Sequence, residues 1–183
     1  AQLAAEIGFV AGLALHDAVA NTTGLAWPLL ALKWPNDLLI ARAKCAGLLL
    51  EGASQGGHFN LSIGFGINLA TAPENAPYPA TSLGTHMGSI GCEHVFTALA
   101  NCFAARLSLW HEGHSHGSGF AAIRDEWRER AAFRGEAVTL RLPNGPVTGK
   151  FEDIDAAGRI VILTGDGRRV IAAGDLFFGE TQA

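Results

Sequence analysis

The residues best suited to chemistry are concentrated in two stretches, KWPNDLLIARAKCAGLLLE at 33–51 and LSIGFGINLA at 61–70. In the first, Lys33, Trp34, Pro35, Asn36 and Asp37 set a fixed turn. Proline locks its own φ and biases Trp34 toward an extended backbone, so Asn36 and Asp37 leave the strand in a set direction. Asn offers a donor and an acceptor, and Asp can hold a metal ion or a ribose hydroxyl. Pro-Asn-Asp is also good chemistry for a plain β-turn. Lys44 opens the apolar run 45–50, where a lysine is costly unless it meets an anion or snorkels to water. Gly47, Gly64 and Gly66 interrupt strand-like runs, which marks either close approach of a ligand or a bulged backbone. Two glycines on one strand face suit a flat ligand lying across it. Asn68 ends the second stretch, where its amide can meet a phosphate or a metal-bound water.

Other chemical patterns are weaker. Gly64-Phe65-Gly66 is no dinucleotide fingerprint, because the third glycine and the following helix are absent. His111, His114 and His116 have HxxHxH spacing on a Gly/Ser-rich stretch, which matches no structural zinc pattern and reads as a solvated loop over 111–118. No structural metal site is expected. His16 and Asp17 sit on a helical pattern and read as a helix surface or a satisfied core pair. No GxSxG and no Ser-His-Asp or Cys-His set is apparent.

Positioning these residues falls to elements the hydrophobic periods define. Leu3, Ile7, Val10, Ala11, Ala14 and Ala18 recur at three- and four-residue spacing, which predicts a helix over 2–21 with its apolar stripe on a core. Short strands are predicted at 29–33, 37–41, 44–53 and 58–69, with a turn at 55–57. The segment 71–83 carries three prolines and no period, a long loop of the kind that is usually functional. Helical spacing returns from 92 to 110 and again over 120–133. Beyond 134 the pattern has period two with turn signals at Asn144-Gly145 and Asp166-Gly167, so four or five short strands form a small barrel. The expected domains are 1–133 and 135–180.

The totals set bounds on function. Hydrophobic residues make up 49% and charged residues 16% of 183, ample for a buried core. A net charge of −4 with scattered basic residues gives no footprint for nucleic acid. The run 3–19 is broken by Glu6, His16 and Asp17, so no membrane partner is expected. Three scattered cysteines without a CxxC read as reduced thiols, hence a cytoplasmic setting. The chain opens inside a helical pattern without an initiator Met, which reads as a fragment.

Taken in order, KWPND, then Lys44 seven residues after Asp37 in KCAGLLLE, then GFGINLA, resembles the biotin protein ligases (biotin–acetyl-CoA-carboxylase ligases), whose pattern is KWPND, K-x-x-G-I-L-x-E and G-x-G-x-N. The likeness continues through YPATSL, a GF…W helix at 119–127, a GxFxxIDxxGxxxL segment and a final AAGDLFFG, and covers essentially the whole chain. The resemblance implies an α+β fold: a mixed or antiparallel sheet backed by helices, followed by a small SH3-like barrel. It implies that biotin and Mg2+-ATP form biotinyl-5′-AMP and pyrophosphate, after which biotin passes to a lysine of the biotin carboxyl carrier domain of acetyl-CoA carboxylase. Lys44 would lie between the biotin carboxylate and the α-phosphate. Gly47, Gly64, Gly66 and Ile67 would line the biotin pocket with Lys44, while Lys33, Asn36, Asp37 and Asn68 would face ATP and magnesium. The loop 71–83 is similar to the segment that covers the adenylate, and the barrel is implied to support ATP and carrier binding.

The family's GRGRxGR loop and its upstream strands and helix do not occur in this sequence, so the chain is expected to be a piece of a complete ligase or a truncated relative. An exposed sheet edge would be an association hazard, and a homodimer is a possible state. Two alternatives accompany this reading: a lipoate-ligase-type acyl transferase and a non-catalytic module that docks a carrier or ligand.

Overall fold

The computed structural model describes residues 2–117 and 119–178. Ser118 of the expected 111–118 loop, and Gly179 and Glu180 at the end of the expected second domain, lie outside the described residues. Helix α1 (Gln2–Thr23) leads into β1 (Leu30–Lys33), β2 (Asp37–Ile40), β3 (Ala43–Gln55) and β4 (His58–Ile67). These four strands form one sheet in sequence order, every pair antiparallel. Three helices follow, α2 (Leu83–Met87), α3 (Cys92–Ser115) and α4 (Ala121–Glu129), and then β5 (Ala137–Arg141), β6 (Val147–Ile154), β7 (Ile160–Thr164), β8 (Gly167–Ile171) and β9 (Asp175–Phe178).

Helix α1 is long and apolar enough by composition to cross a membrane. Here it is the central helix of the fold, because apolar neighbours cover most of its circumference: Val10, Ala11, Leu13, Ala14, Leu15 and Ala18 are all buried. It packs on β1 to β3 and against α3 and α4. Phe9 meets Phe120 edge-on and leans on Trp127, which ties α1 to α4. Small residues allow the close approach: a Cβ on Gly12 would stand 3.1 Å from the Trp127 ring nitrogen.

Several expected boundaries move. Helix α3 runs on to Ser115, so His111 and His114 lie on a helix. The Gly113 that suggests a loop is tolerated because α3 is anchored on both sides of it: Trp110 Nε1 donates to the buried Glu6 carboxylate at 2.9 Å, and His114 Nε2 lies 2.7 Å from the same oxygen. Helix α4 is shorter than expected and stops at Glu129, after which Ala131 pairs in parallel with Leu32 at the edge of the first sheet. The long loop 71–83 runs into a helical turn, α2, capped by the Ser82 hydroxyl on the Thr85 amide. His16 is buried, 3.5 Å from Asp17, and Asp17 accepts from Arg106 at 2.7 Å.

The C-terminal strands form an antiparallel, SH3-like sheet in the order β8-β7-β6-β5-β9. Among the described residues no ladder joins β8 to β9, so the expected barrel is an open five-stranded sheet. Val138, Leu140, Phe151, Ile160, Ile162 and Leu176 fill its core.

Candidate active site

Lys33 and Asp37 face each other across the end of the β1–β2 hairpin, because the Trp34, Pro35 and Asn36 turn brings positions four apart into register. Lys33 Nζ lies 2.7 Å from Asp37 Oδ2 and donates to the Leu176 carbonyl at 3.2 Å. Lys44 Nζ lies 2.6 Å from the other oxygen, Asp37 Oδ1. A single carboxylate, itself only 6% exposed, therefore bridges two ammonium groups. The arrangement carries one net positive charge.

A β-bulge makes this meeting possible. In a regular strand Lys44 and Gly47, three apart, would point to opposite faces. The β2–β3 register slips between Leu38 and Leu39, pairing Leu38 with Ala46 but Leu39 with Lys44, so Cys45 is the extra residue. Lys44 then shares a face with Gly47. A Cβ on Gly47 would lie 3.1 Å from Asp37 Oδ1 and 3.2 Å from Lys44 Nζ, so the ion pair rests directly on the glycine backbone. Residue spacing alone does not reveal this bulge; its extra residue is the buried Cys45, between Lys44 and Ala46.

Burial pushes the Lys44 ammonium toward a lower pKa, but the hydrogen bond and charge of Asp37 outweigh it, with Tyr78 adding to the effect. Lys44 thus stays protonated above its ordinary range. The Tyr78 ring centre is 5.1 Å from Lys44 Nζ and 6.0 Å from Lys33 Nζ, and the Phe177 ring centre is 6.0 Å from Lys33 Nζ. The 71–83 loop brings Tyr78 there by pairing its far end with β3: Lys44 N–H donates to the Pro79 carbonyl and Thr81 N–H to the Lys44 carbonyl.

The three expected glycines converge. Gly47 pairs with Gly66 and Leu49 with Gly64, all on the face that carries Lys44. They floor an open cleft of about 390 Å³. A Cβ on Gly64 would only reach ordinary contact with Leu49, and one on Gly66 would lie 4.0 Å from the Gly47 carbonyl. Packing does not demand Gly64 and Gly66, whose lack of side chains leaves this part of the floor flat and open. Ile67 does not join them: it alternates to the opposite face with Ile63 and Phe65, toward α3.

The two asparagines are engaged in the fold. Asn36 Nδ2 donates to the Leu48 carbonyl at 2.6 Å, and Leu48 N–H returns a bond to Asn36. Asn68 Nδ2 donates to the Thr81 carbonyl at 2.9 Å, pinning the loop beside Lys44. Both amide nitrogens support the site's frame. Each Asp37 oxygen already holds one ammonium, and among the described residues no group of three His, Cys, Asp or Glu side chains converges on a metal position.

A helix-backed antiparallel sheet, a lysine–carboxylate–lysine bridge over a glycine floor and a small C-terminal sheet define an α+β protein with a net positive site beside a flat, open cleft. Residues 133–179 match the family described as biotin protein ligase C terminal domain. A biotin–acetyl-CoA-carboxylase ligase of Paracoccus denitrificans is 38% identical over 186 residues, covering 96% of this chain and 74% of that protein. One from Mycobacterium tuberculosis is 31% identical over 172 residues, 93% of this chain and 61% of that protein. The biotin protein ligase of Aquifex aeolicus has the same fold: its apo structure is 26% identical with a TM-score of 0.82, covering 96% of this chain and 76% of that one. Its complex with biotin and ATP gives a TM-score of 0.79 over 94% of this chain and 70% of that one. The chain belongs to the biotin–acetyl-CoA-carboxylase ligase family of ATP-dependent ligases, and it spans about three quarters and three fifths of the length of the two curated relatives.

Proposed function

We propose that this chain carries the adenylating half of a biotin–protein ligase site, in which biotin and ATP give biotinyl-5′-AMP and pyrophosphate and the biotinyl group then passes to a lysine of the acetyl-CoA carboxylase carrier domain. The observation that carries this reading is the Asp37 carboxylate held between Lys33 and Lys44 at the rim of the glycine-floored cleft. In the first step a carboxylate attacks an α-phosphate, so two anions must approach each other. A fixed cation between them lowers that barrier without reorganisation. Lys44 is the cation that faces the cleft, and Asp37 keeps it charged and aimed. In the second step the same ammonium stabilises charge on the acyl oxygen while the carrier lysine displaces AMP.

Gly47, Gly64 and Gly66 support a flat bicyclic ligand, with the exposed Leu49 as an apolar wall. Ile67 contributes to this surface through its backbone alone. Lys33 and Tyr78 flank the nucleotide side, while Asn36 and Asn68 hold the strands and loop that shape it. Asp37 is committed to two lysines and is a poor magnesium ligand, so Mg2+ in this reading arrives with the nucleotide as part of the substrate. The natural division is an adenylating unit over 1–133 and a supporting unit over 135–180, in the cytoplasm.

The test is transfer of radiolabelled biotin to an isolated carrier domain by the protein at its full natural length, with ATP–pyrophosphate exchange measured in parallel. Biotin-dependent exchange and labelled carrier are expected. Carrier binding with neither signal would make the protein a docking module, and exchange driven by lipoate but not biotin would move it to the lipoate-ligase type.

A further inference from the structure

A cavity of about 530 Å³ opens at the end of the β1–β2 hairpin opposite the Lys33–Asp37 turn. It shares no lining residue with the glycine-floored cleft. Ala31 and Leu39, paired across the hairpin, line it together with Ala41, Ala131 and Ala132. These short side chains leave a smooth apolar surface. The Trp27 indole, 50% exposed, stands on the same lining. Part of the wall is held in an uncommon backbone conformation. Among the described residues the non-glycine positions with positive φ are Ala41 at 49°, Arg42 at 68° and Phe133 at 63°, and all three line this cavity. The tight β2–β3 turn accounts for the first two. A left-handed phenylalanine is costly for its bulk. Phe133 is kept there by its stack on Phe178, with ring centres 4.0 Å apart, and by the Arg42 guanidinium 4.5 Å from its own centre. The wall is therefore fixed by the fold.

Five charged residues line the cavity, and three of them are spoken for. Arg42 is bidentate to Glu136, at 3.0 and 2.8 Å. Arg128 is bidentate to Asp153, at 2.7 and 3.0 Å, and also meets Asp125 at 3.1 Å. Arg134 and Glu129 are left over. Both are exposed, and among the described residues neither side chain makes a hydrogen bond or ion pair. One free cation and one free anion thus stand on the lining of one apolar cavity. A guanidinium fork fits a carboxylate with two parallel bonds, and a carboxylate accepts from an ammonium. The matching ligand carries both charges on an apolar body. A cavity of this size suits a drug-sized molecule, so a single amino acid would leave much of it empty.

We propose that this cavity is a second ligand site, separate from the Lys44 cleft, that takes a zwitterionic dipeptide with apolar side chains. The terminal carboxylate meets Arg134 and the terminal ammonium meets Glu129. The side chains lie on the alanine-lined surface against Trp27. The site goes beyond the adenylation reading and does not depend on it, because the two use opposite ends of the β1–β2 hairpin and different residues.

The test is calorimetric titration of the protein at full natural length with L-leucyl-L-phenylalanine, its N-acetyl form and its C-terminal amide. The free dipeptide should bind at one site. Each cap removes one charge and should weaken binding about fivefold, the upper value for an exposed ion pair. In Glu129→Gln the N-acetyl group should cost nothing further, and in Arg134→Gln the amide should cost nothing further. Trp27→Ala should weaken all three probes alike. In hydrogen exchange the dipeptide should slow the amides of Ala41 and Ala132, which donate to the Leu29 and Leu32 carbonyls on the two flanks of β1. No binding of the free dipeptide, or binding indifferent to both caps, would overturn the proposal. So would displacement of the dipeptide by biotin, which would put it in the Lys44 cleft. A dimer that Trp27→Ala disperses would also overturn it, by giving the cavity to a second copy of the chain.

Discussion

Replacing Asp37 by Asn keeps the side chain's shape and removes the one charge that both lysines share. Asn can still accept from one ammonium through its oxygen, but its NH2 group then faces the other. Lys33 is 11% and Lys44 27% exposed, so two largely buried cations lose their counter-ion together. Removing one partner of a buried pair costs about 3–5 kcal/mol. Because water reaches Lys44, the lower end, about 3 kcal/mol, is expected here. That is a large share of a typical domain's stability of roughly 5–15 kcal/mol. The sign of the pH dependence follows from Lys44. In wild type its folded pKa is raised, so its contribution is fully present below the unfolded value near 10.5 and is lost as pH rises through the higher folded one. In Asp37→Asn the main opposing influence is gone, and burial, set only against Tyr78, works to lower the folded pKa; the penalty is then relieved as pH rises and the amine neutralises. The gap between wild type and variant should therefore be widest at neutral pH and should narrow as pH rises toward and through the unfolded value near 10.5. Urea unfolding at pH 7 and pH 10.5 measures both quantities. A difference under about 1 kcal/mol at pH 7, or one that does not change with pH, would refute the account of Asp37 as the shared counter-ion.

Further outcomes follow from the same geometry. Lys44→Ala should abolish adenylate formation while far-UV circular dichroism stays native; pyrophosphate release at the wild-type rate would remove Lys44 from the reaction. Gly47→Ala places a methyl 3.1 Å from Asp37 Oδ1 and 3.2 Å from Lys44 Nζ, so adenylation should fall far more than thermal stability does. Asn68→Ala removes the bond to the Thr81 carbonyl, and the amides of Lys44 and Thr81 should exchange with deuterium faster while those of β4 do not. Trp34→Phe removes the 3.1 Å bond from the indole to the Gly158 carbonyl and should cost about 1–2 kcal/mol in urea unfolding.

Much of this architecture is legible in sequence wherever one period dominates. The α1 stripe and the four strands of the first sheet follow from spacing and turn residues, as do the four or five strands expected of the C-terminal part, where five form. Errors fall where a long-range contact overrides a local signal. Gly113 and three histidines look like a loop, yet α3 continues through them because Trp110 and His114 reach Glu6, over a hundred residues away. The small SH3-like unit is readable from strand count, but strand count cannot tell whether its edge strands meet, and among the described residues they do not. In the site, residue types were readable and directions were not. Whether Lys44 faces Gly47 depends on a single bulged residue, and whether Asn68 meets a ligand depends on a loop that folds back to occupy it.

The two lysines look equivalent in sequence, each beside a strand and each in reach of Asp37. Their surroundings separate them. Lys33 has a second hydrogen bond to Leu176 and lies between two rings, so its ammonium is held from the side of the C-terminal sheet. Lys44 is more exposed and leans over the glycine floor. Asp37 can neutralise one charge, and the surplus falls to the lysine with more access to the cleft. A ligand anion that reaches Lys44 therefore need not displace Asp37. It completes a charge balance left open by one unit, while Lys33 and the C-terminal strand keep the carboxylate from following Lys44 toward the ligand. On this account the distance between the sheets is part of the site's electrostatics: loosening β9 should weaken Asp37's hold on Lys44 without altering any residue that touches the cleft.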